Sequence, residues 1–350
     1  MPRIHYESLR DLADRLFRAG GMPERDSQLL AELLAKADLR GYTGHGTCRV
    51  APYLAWIKDG TTQIAEPPAV LRESKTTSVV DAKHYIGQVA AYDAMKLAIA
   101  KAKEHGTGTV ALRRAGHVGR LADYMELAAE AGMIGFGAVC VGSGSVTLYG
   151  GMERITGTNP MAYGIPARGG KHVILDFATS SMSMGEIQKR EGRGEPIPEG
   201  AMLDGYGRPT NSVKTFRGPP RGALLPFGGY KGSGLNVIAE ILAGVLTGNG
   251  PGRAWWDKGG HAVNGVLLQA IAVEEFLPLE EFLAGVDDFV AHAKRVKPAP
   301  GSDGVMLPGE RARKIEERQI RDGVELDEPT WNGLMEVVRE LRVGDIPRPL

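Results

Sequence analysis

KAKEHGTGTVALRRAGHVGRLADY, residues 101–124, runs from the end of one predicted helix through a strand into a second helix. Its glycine-rich run, GTGTVA from Gly106, follows the helix and precedes the strand. A Rossmann fold has the opposite order, because its GxGxxG leads from a strand into the helix N-terminus that meets the pyrophosphate. We therefore interpret the run as a glycine cap on the first helix. Any nucleotide would bind on another fold.

Six apolar runs predict strands, and stretches of helical periodicity lie between and after them. The predicted strands are SVVDA (78–82), TVALRR (109–114), IGFGAVCV (134–141), MAYGIP (161–166), VILDFA (173–178) and GVLLQAIAV (265–273). The predicted helices cover about 88–104, 119–131, 234–247 and 275–295. This mixture of strands and helices indicates an α/β fold.

Both ends of the chain are predicted to be helical. Apolar residues at steps of three and four predict helices over 7–19 and 24–39, and a third helix after Thr47, which is its expected N-cap. Two polar helices are predicted within 307–323 and 330–341.

These elements predict two domains and one unusual connection. Residues 1–75 and 307–350 form the predicted helical domain, and residues 76–306 form the α/β domain. Within 191–234, 17 of the 44 residues are Gly or Pro and no periodicity is visible. A connection of this length usually covers a site or a partner. We interpret it as a segment that wraps over the rest of the molecule.

Charge and composition limit the classes of partner. The 42 Lys and Arg residues balance 42 Asp and Glu residues, so no net positive field attracts nucleic acid or an anionic membrane surface. The most apolar helical stretch, at 235–246, is shorter than the ~20 residues that a membrane span requires. Cys48 and Cys140 are far apart, and the N-terminal residues do not resemble a signal peptide. We expect a cytoplasmic protein whose partners are small molecules or copies of itself.

His45 lies in GYTGHGTCRV (41–50) between two glycines, four residues before Arg49. Glycine neighbours leave the imidazole uncovered, and the helix N-terminus after it attracts an anion. The guanidinium of Arg49 is suited to hold a carboxylate with two parallel hydrogen bonds. The pattern favours a site for an acid with a transferable proton. The alternative is a plain helix-entry histidine and a surface ion pair.

A second histidine has the same setting. His117 follows a predicted strand, precedes a predicted helix and lies beside Gly116 and Gly119. Junctions of this kind carry many of the sites of α/β folds. We predict that His45 and His117 form a pair of acid/base or substrate-orienting groups. No carboxylate cluster with ligand spacing accompanies them, so no metal site is predicted.

Seven motifs follow one another along most of the chain. They are GHGTCRVAPYLAWIKDG, GHVGRLADYMELAAEAGMIG, YGGMERITGTNPMAYGIPA, VILDFATSSMSMG, GEPIPEGAMLDGYGRPT, LLPFGGYKGSGLNVIAEILAGVLTG and LPGE. In this order they resemble the type-2 malate/L-lactate dehydrogenase family, from about residue 5 to about residue 340. The resemblance implies a homodimeric oxidoreductase that uses NAD or NADP. It also implies a mixed, non-Rossmann cofactor-binding sheet of about seven strands, which explains the missing glycine fingerprint.

The resemblance also implies roles for individual residues. The histidine matching His45 is a proton donor or acceptor, the arginine matching Arg49 holds the substrate carboxylate, and His117 matches a second site histidine. Thr158 matches a substrate-contacting threonine, and Asp176 matches a catalytic aspartate at a strand end. The matching cofactor contacts are Asp176, Phe177, Ala178, Thr179, Ser180, Lys231, Gly232, Pro308, Gly309 and Glu310.

One position departs from the family pattern. A serine commonly precedes the first histidine and relays a proton with that histidine and the aspartate matching Asp176, but this chain has Gly44. Because glycine has no hydroxyl, either Thr43, Thr47 or water takes this role, or His117 carries more of the proton transfer.

The leading function is a dehydrogenase of a small 2-hydroxy acid, malate or L-lactate. A histidine of pKa ~6.5 serves such chemistry in both directions, and we expect Arg49 to lower the pKa of His45 and Asp176 to raise it. One alternative is a reductase of a cyclic imino acid or of a sulfolactate, ureidoglycolate or diketogulonate type of substrate. The other is a cofactor-binding protein without catalysis. Asp176 has its own alternative, a cap on the preceding strand.

Overall fold

The computed structural model describes residues 1–256 and 263–350. Its strands are β1 (Arg3–Ile4), β2 (Ala69–Glu73), β3 (Thr77–Asp81), β4 (Thr107–Ala115), β5 (Met133–Val141), β6 (Met161–Ile165), β7 (Val173–Phe177), β8 (Met202–Leu203), β9 (Pro209–Thr210), β10 (Ala223–Leu224), β11 (Asn264–Ala272) and β12 (Val324–Glu325). Its helices are α1 (Tyr6–Ala19), α2 (Glu24–Leu39), α3 (Val50–Lys58), α4 (Gly87–His105), α5 (Ala122–Glu130), α6 (Met184–Arg193), α7 (Val213–Arg217), α8 (Tyr230–Ala239), α9 (Arg253–Trp256), α10 (Leu279–Lys294), α11 (Glu310–Asp322) and α12 (Glu328–Leu341).

Helices from the two ends of the chain pack together. In α1, one face formed by Leu9, Leu12, Leu16 and Phe17 is fully buried, as its apolar spacing predicts. This helix contacts α2 and α12, and α2 contacts α11. The pairing of β1 with β12 also joins the first residues to the C-terminal segment. The helices predicted over 7–19 and 24–39 and near the C-terminus are confirmed.

The centre of the fold is a mixed sheet with the strand order β2-β3-β4-β11-β5-β6-β7. Strands β3 and β4 run parallel, and the other neighbouring pairs run antiparallel. The α/β class and the mixed, non-Rossmann sheet of about seven strands are confirmed. Six strands match the predicted runs. The seventh, β2, was missed because it is a largely exposed edge strand, and it lies within the 1–75 stretch assigned to the helical domain.

Two helices on the sheet position the turn that carries His117. The first, α4, packs on β4 and β11, and α5 packs on β5 and β6. Gly106 ends α4 with a φ of 80° and donates its N–H to Ala102 O, which confirms the predicted glycine cap. At the other end of α4, a Cβ on Gly87 would lie 2.1 Å from Gly116 O. The start of α4 therefore packs directly against the His117 turn.

Residues 191–234 do not wrap over the molecule as predicted, because they belong to a small folded unit. Strands β10, β8 and β9 form an antiparallel three-stranded sheet. Apolar side chains of this region, together with Ile187 of α6, form a separate buried cluster, which includes Ile197, Met202, Phe216 and Leu224. Each of these strands has two residues, too few to show a periodic pattern. The helix predicted over 234–247 begins earlier, at Tyr230, and continues into a π-helical turn, Glu240–Val245.

Candidate active site

A buried carboxylate holds the segment that carries His45. Asp38, near the end of α2, is fully buried, and its Oδ2 accepts hydrogen bonds from the backbone N–H (2.7 Å) and the hydroxyl (2.6 Å) of Thr47. Burial raises the pKa of Asp38 to about 7, although these hydrogen bonds act in the opposite direction. The prediction that Thr47 is a helix N-cap is wrong: its hydroxyl donates to Asp38, and α3 begins at Val50.

The two glycines that flank His45 have different structural reasons. A Cβ on Gly46 would lie 1.9 Å from Asp38 Oδ1, so the buried carboxylate leaves no room for a side chain. A Cβ on Gly44 would first meet Gly185 Cα at 3.9 Å, which is an ordinary van der Waals contact. Gly46 is therefore needed for packing, whereas Gly44 leaves space beside the imidazole.

The structure brings His45 and His117 together from distant parts of the chain. Their ring centroids are 5.7 Å apart and their planes differ by 12°. Each ring is half-buried: His45 on a 3₁₀ turn before α3, and His117 on the turn between β4 and α5. This geometry agrees with the predicted pairing, while their roles stay a prediction.

Tyr53 is a site residue that the sequence reasoning missed. Its hydroxyl lies 2.5 Å from His117 Nδ1, and Gln88 Nε2 donates to the same oxygen at 3.5 Å. Burial raises the pKa of Tyr53, so the phenol keeps its proton and donates it to Nδ1. We therefore assign the remaining proton of a neutral His117 to Nε2. The sequence feature that could have identified Tyr53 is its position one helical turn after Arg49.

Replacing Tyr53 with phenylalanine is expected to lower kcat by roughly 3- to 10-fold, because one hydrogen bond to His117 is lost while the aromatic ring is kept. The pH dependence of kcat should also shift, since Nδ1 loses its donor. Steady-state kinetics over a pH series measure both effects. Tyr206→Phe, which removes a hydroxyl from an exposed tyrosine, is the matched control. Equal kinetics for both variants would contradict the role of Tyr53.

The surroundings of His45 favour its neutral form. Burial lowers the pKa of His45 to about 3, and the positive charges of Arg49, Arg120 and Lys189 act in the same direction. Burial likewise lowers the pKa of His117, with smaller effects from Arg49 and His45. Both rings are therefore unprotonated at neutral pH before an anion binds.

Arg49 borders an open cavity at the His45 segment. Its Nε donates to Gly44 O at 2.8 Å. Arg49, Gly44, Thr43 and Lys189 are among the residues that line a cavity of about 480 Å³. The cations of Arg49 and Lys189 make this cavity suitable for a carboxylate.

The structure shows which hydroxyl groups are free to replace the serine hydroxyl that this chain lacks at Gly44. Thr47 donates its hydroxyl to Asp38, and Thr43 Oγ1 accepts a hydrogen bond from Lys189. Within the part of the chain that the structure describes, the hydroxyl that bonds to a site histidine is that of Tyr53. Of the alternatives, a water molecule or a larger share of the proton transfer by His117 therefore remain.

Asp176 links the end of β7 to the start of α5. Its Oδ2 accepts the backbone N–H of Ala122 at 2.9 Å. Burial raises the pKa of Asp176 to about 6, while hydrogen bonds from α5 and the charge of Arg120 act in the opposite direction. The expected rise in the pKa of His45 from Asp176 does not occur, because the charges that act on this ring in the described structure are cationic.

Several predicted cofactor contacts line two adjoining cavities. The first, of about 480 Å³, includes Asp176, Pro308 and Gly309 in its lining. The second, of about 750 Å³, includes Phe177, Ala178 and Ser180. Leu175 and Arg311 line both cavities, so the two spaces meet along β7.

Gly232, the neighbour of Lys231, packs against Phe227, and Phe227 connects it to the second cavity. A Cβ on Gly232 would lie 2.0 Å from Phe227 O, and the Phe227 ring contacts Phe177 edge-on at a centroid distance of 5.7 Å. Lys231 is exposed. It lies in the first turn of α8, which begins at Tyr230.

Three other predicted site residues make contacts that maintain the local structure. Thr158 O accepts both the backbone N–H (2.9 Å) and the hydroxyl (3.0 Å) of Thr179. Glu310 Oε2 accepts the backbone N–H of Leu307 at 2.9 Å and pairs with Lys294. The structure thus places Thr158 beside the strand end that carries Asp176, and it uses Glu310 to close the turn before α11.

Comparison with known proteins places this chain in a family. The profile of the malate/L-lactate dehydrogenase family matches residues 4–335. The chain belongs to this family. The chain is 33% identical to the L-sulfolactate dehydrogenase of Methanothermobacter thermautotrophicus, over 98% of this chain and 98% of that one. The chain is 34% identical to the malate dehydrogenase of Pyrococcus abyssi, over 98% of this chain and 95% of that one.

The fold of this malate/L-lactate dehydrogenase family member also has close structural neighbours. The malate dehydrogenase of Entamoeba histolytica superposes with a TM-score of 0.93 at 28% identity, over 98% of this chain and 99% of that one. The chain is therefore an oxidoreductase that acts on the CH–OH group of hydroxy acids. Among residues 1–256 and 263–350, no group of three or more His, Cys, Asp or Glu side chains is arranged to hold a metal ion. No helix in these ranges is long and apolar enough to cross a membrane.

Proposed function

We propose that this enzyme interconverts a small 2-hydroxy acid, such as malate or L-lactate, and the matching 2-oxo acid with NAD or NADP. The observation that carries the proposal is the stacked pair of His45 and His117 beside Arg49. A proton acceptor and a carboxylate-binding cation are the two groups that this reaction requires from a protein.

Different residues of the site carry out proton transfer and substrate binding. During oxidation, the neutral ring of His45 accepts the proton of the substrate hydroxyl as the hydride leaves carbon 2. Arg49 binds the substrate carboxylate, whose negative charge offsets the guanidinium and raises the pKa of His45. The protonated ring then serves as the acid in the reverse reaction. His117, oriented by Tyr53, presents its Nε2–H to the same site.

The adjoining cavities along β7 fit an extended dinucleotide. Together they exceed the size of one small-molecule pocket, and Asp176 and Arg311 provide a ribose acceptor and a phosphate-binding cation. Gly309 has a φ of 89°, and a Cβ there would approach Ile174 N to 3.3 Å, so glycine lets the 308–309 turn lie against the strand. When bound, the nicotinamide supplies the hydride acceptor or donor.

The test of the proposed function is a panel of substrates. Oxaloacetate, pyruvate, 3-sulfopyruvate and a cyclic imino acid would each be assayed with NADH and with NADPH by loss of nicotinamide absorbance. Turnover of 2-oxo acids supports the proposal, and preferential turnover of the imine would favour the reductase alternative. Cofactor binding without turnover of any substrate would favour the non-catalytic alternative that Gly44 raises.

The pH dependence of hydroxy acid oxidation should reflect the lowered pKa of His45. A base is active when unprotonated, so activity is lost as the pH falls through its pKa. Since that pKa is about 3 in the free enzyme and is raised by the bound carboxylate, the acid limb of kcat/KM should lie at lower pH than the acid limb of kcat. Profiles of both parameters with L-malate measure this order. The opposite order would contradict the assignment.

Arg49→Lys is expected to raise KM for the 2-oxo acid by roughly 10- to 100-fold with a smaller change in kcat. Lysine keeps the charge but loses the planar pair of donors that binds a carboxylate. Initial rates over a substrate series measure the two parameters. Arg311→Lys, which alters the proposed cofactor cavity, should instead raise KM for the nicotinamide.

We also propose that the enzyme is a cytoplasmic homodimer. In this single chain, Ile238, Ile241, Val245 and Leu246 are each about half exposed or more and follow one another at mostly helical steps. An apolar row of this kind usually meets another protein surface. Light scattering should give twice the chain mass of 37.5 kDa, and Ile241→Asp should give the single-chain mass. A monomeric parent protein would contradict the proposal.

A further inference from the structure

Strained backbone lies directly behind the turn that carries His117. Six residues other than glycine in the described part of the chain have a positive φ, and three of them meet here: Lys83 (52°), His84 (65°) and Arg114 (52°). This region of φ is unfavourable for a residue with a Cβ, and it persists only where the surrounding structure holds it. Because such strain is concentrated at functional sites, the contacts that hold it bear on the role of His117.

The strain at Arg114 belongs to a β-bulge. The pairing of β4 with β11 shifts its register at this point, so that Arg113 and Arg114 together lie opposite the single residue Gly265. A bulge bends its strand and changes the direction of the residues that follow. Here the following residues lead into Gly116 and His117. The position of the imidazole therefore depends on the backbone conformation of Arg114.

The carboxylate of Asp81 holds both arginines of the bulge. Asp81 ends β3, is 3% exposed and lies beside Arg113 in the parallel pairing with β4. Its Oδ1 accepts Arg114 Nε at 2.8 Å, and its Oδ2 accepts Arg114 Nη2 at 2.6 Å and Arg113 Nη2 at 2.9 Å. Neighbouring residues of a regular strand point to opposite faces of the sheet. Both side chains reach one carboxylate because the bulge turns Arg114.

The same carboxylate shapes the segment between β3 and α4, which is bonded to the His117 turn. Asp81 Oδ1 accepts the backbone N–H of the strained residue two positions further along the chain, at 3.0 Å. The next N–H, that of His84, donates to Arg114 O at 2.7 Å, and the N–H of Gly116 donates to Tyr85 O at 2.9 Å. Asp81 is thus connected to the bulge through side chains and through the neighbouring backbone.

We propose that Asp81 is a positioning residue for His117, because it holds Arg114 in the left-handed conformation that sets the direction of the His117 turn. This inference rests on the proposed function. Asp81 acts through Arg114 and lines none of the cavities described above. The contacts that depend on it are the hydrogen bond between Tyr53 and His117 Nδ1 and the stacking of His117 on His45.

The first test compares glycine with alanine at position 114. Both R114G and R114A remove the guanidinium, but glycine adopts a positive φ without strain and alanine does not. The kcat of R114G should exceed that of R114A by roughly 10-fold. The difference in KM for the 2-oxo acid should be smaller, because Arg49 is unaltered. Thermal denaturation establishes that both variants are folded, and equal kcat values in the two folded variants would overturn the inference.

The second test removes the charge of Asp81. D81N should lower kcat by roughly 10-fold, because asparagine does not accept the hydrogen bonds of both guanidinium groups. Adding R114G should restore most of this loss, since glycine keeps the bulge without the carboxylate. The control is K101M, which removes a buried cation that pairs with Glu73 before the start of β3 and should leave kcat unchanged. A D81N/R114G enzyme no more active than D81N, or an equal loss in K101M, would overturn the inference.

A third measurement does not depend on turnover. The ring-nitrogen resonances of His117, measured by NMR on isotope-labelled histidine and assigned by their loss in H117N, report the hydrogen bond from Tyr53. In R114A they should move toward their positions in Y53F, and in R114G they should stay. Unchanged resonances in R114A would overturn the inference. Absence of turnover in the unaltered enzyme would instead contradict the proposed function, and these resonances would still test the role of Asp81.

Discussion

His45→Asn is expected to lower kcat by on the order of 10²- to 10⁴-fold in both directions, because asparagine fills similar space but neither accepts nor donates the transferred proton. The fold should persist, since the segment is held by the contact between Asp38 and Thr47 rather than by the imidazole. Steady-state kinetics and a denaturation curve on the same preparation measure the two properties.

Two further histidine variants belong to this experiment, a second test variant and a control. His117→Asn should also reduce kcat, by an amount that reports its share of the proton transfer. His292→Asn changes an exposed histidine on α10 and should leave the kinetics unchanged. Near-native turnover in both His45→Asn and His117→Asn would remove the proposed proton donors.

Gly46→Ala is expected to reduce the free energy of unfolding by about 1–3 kcal/mol, as overpacking of a buried site does. The added Cβ would lie 1.9 Å from Asp38 Oδ1, so the carboxylate or the backbone has to move. Either movement breaks the hydrogen bonds to Thr47 and displaces the adjacent His45. Activity should therefore fall together with stability, which urea denaturation and kinetics measure.

Gly44→Ala is the matched control for this substitution. Its Cβ would first meet Gly185 Cα at 3.9 Å, so the free energy of unfolding should change little. Equal stability of the two alanine variants would contradict the packing role assigned to Gly46.

The elements that were predictable are those with enough residues to show a period. Helix α1 and the six predicted sheet strands reveal their buried faces in the sequence. Edge strand β2 is largely exposed, and the two-residue strands β8, β9 and β10 are too short, so neither kind leaves a hydrophobic pattern.

The site was partly predictable for a similar reason. Glycine-bordered turns singled out His45 and His117, but not the 5.7 Å stacking between them. Thr47 has the chemistry of an N-cap, yet the buried carboxylate of Asp38 competes for its hydroxyl. Tyr53 is important through a contact made only in the folded chain, so composition and spacing do not reveal it.

The central position of β11 has a consequence for how the chain folds. This strand, residues Asn264–Ala272, lies between β4 and β5, which a ribosome completes more than a hundred residues earlier. Until β11 emerges, both neighbours expose an unpaired edge, and such edges promote aggregation. Synthesis halted before residue 264 should therefore yield insoluble fragments. We expect the full-length chain to refold slowly, because its central pairings are distant in sequence.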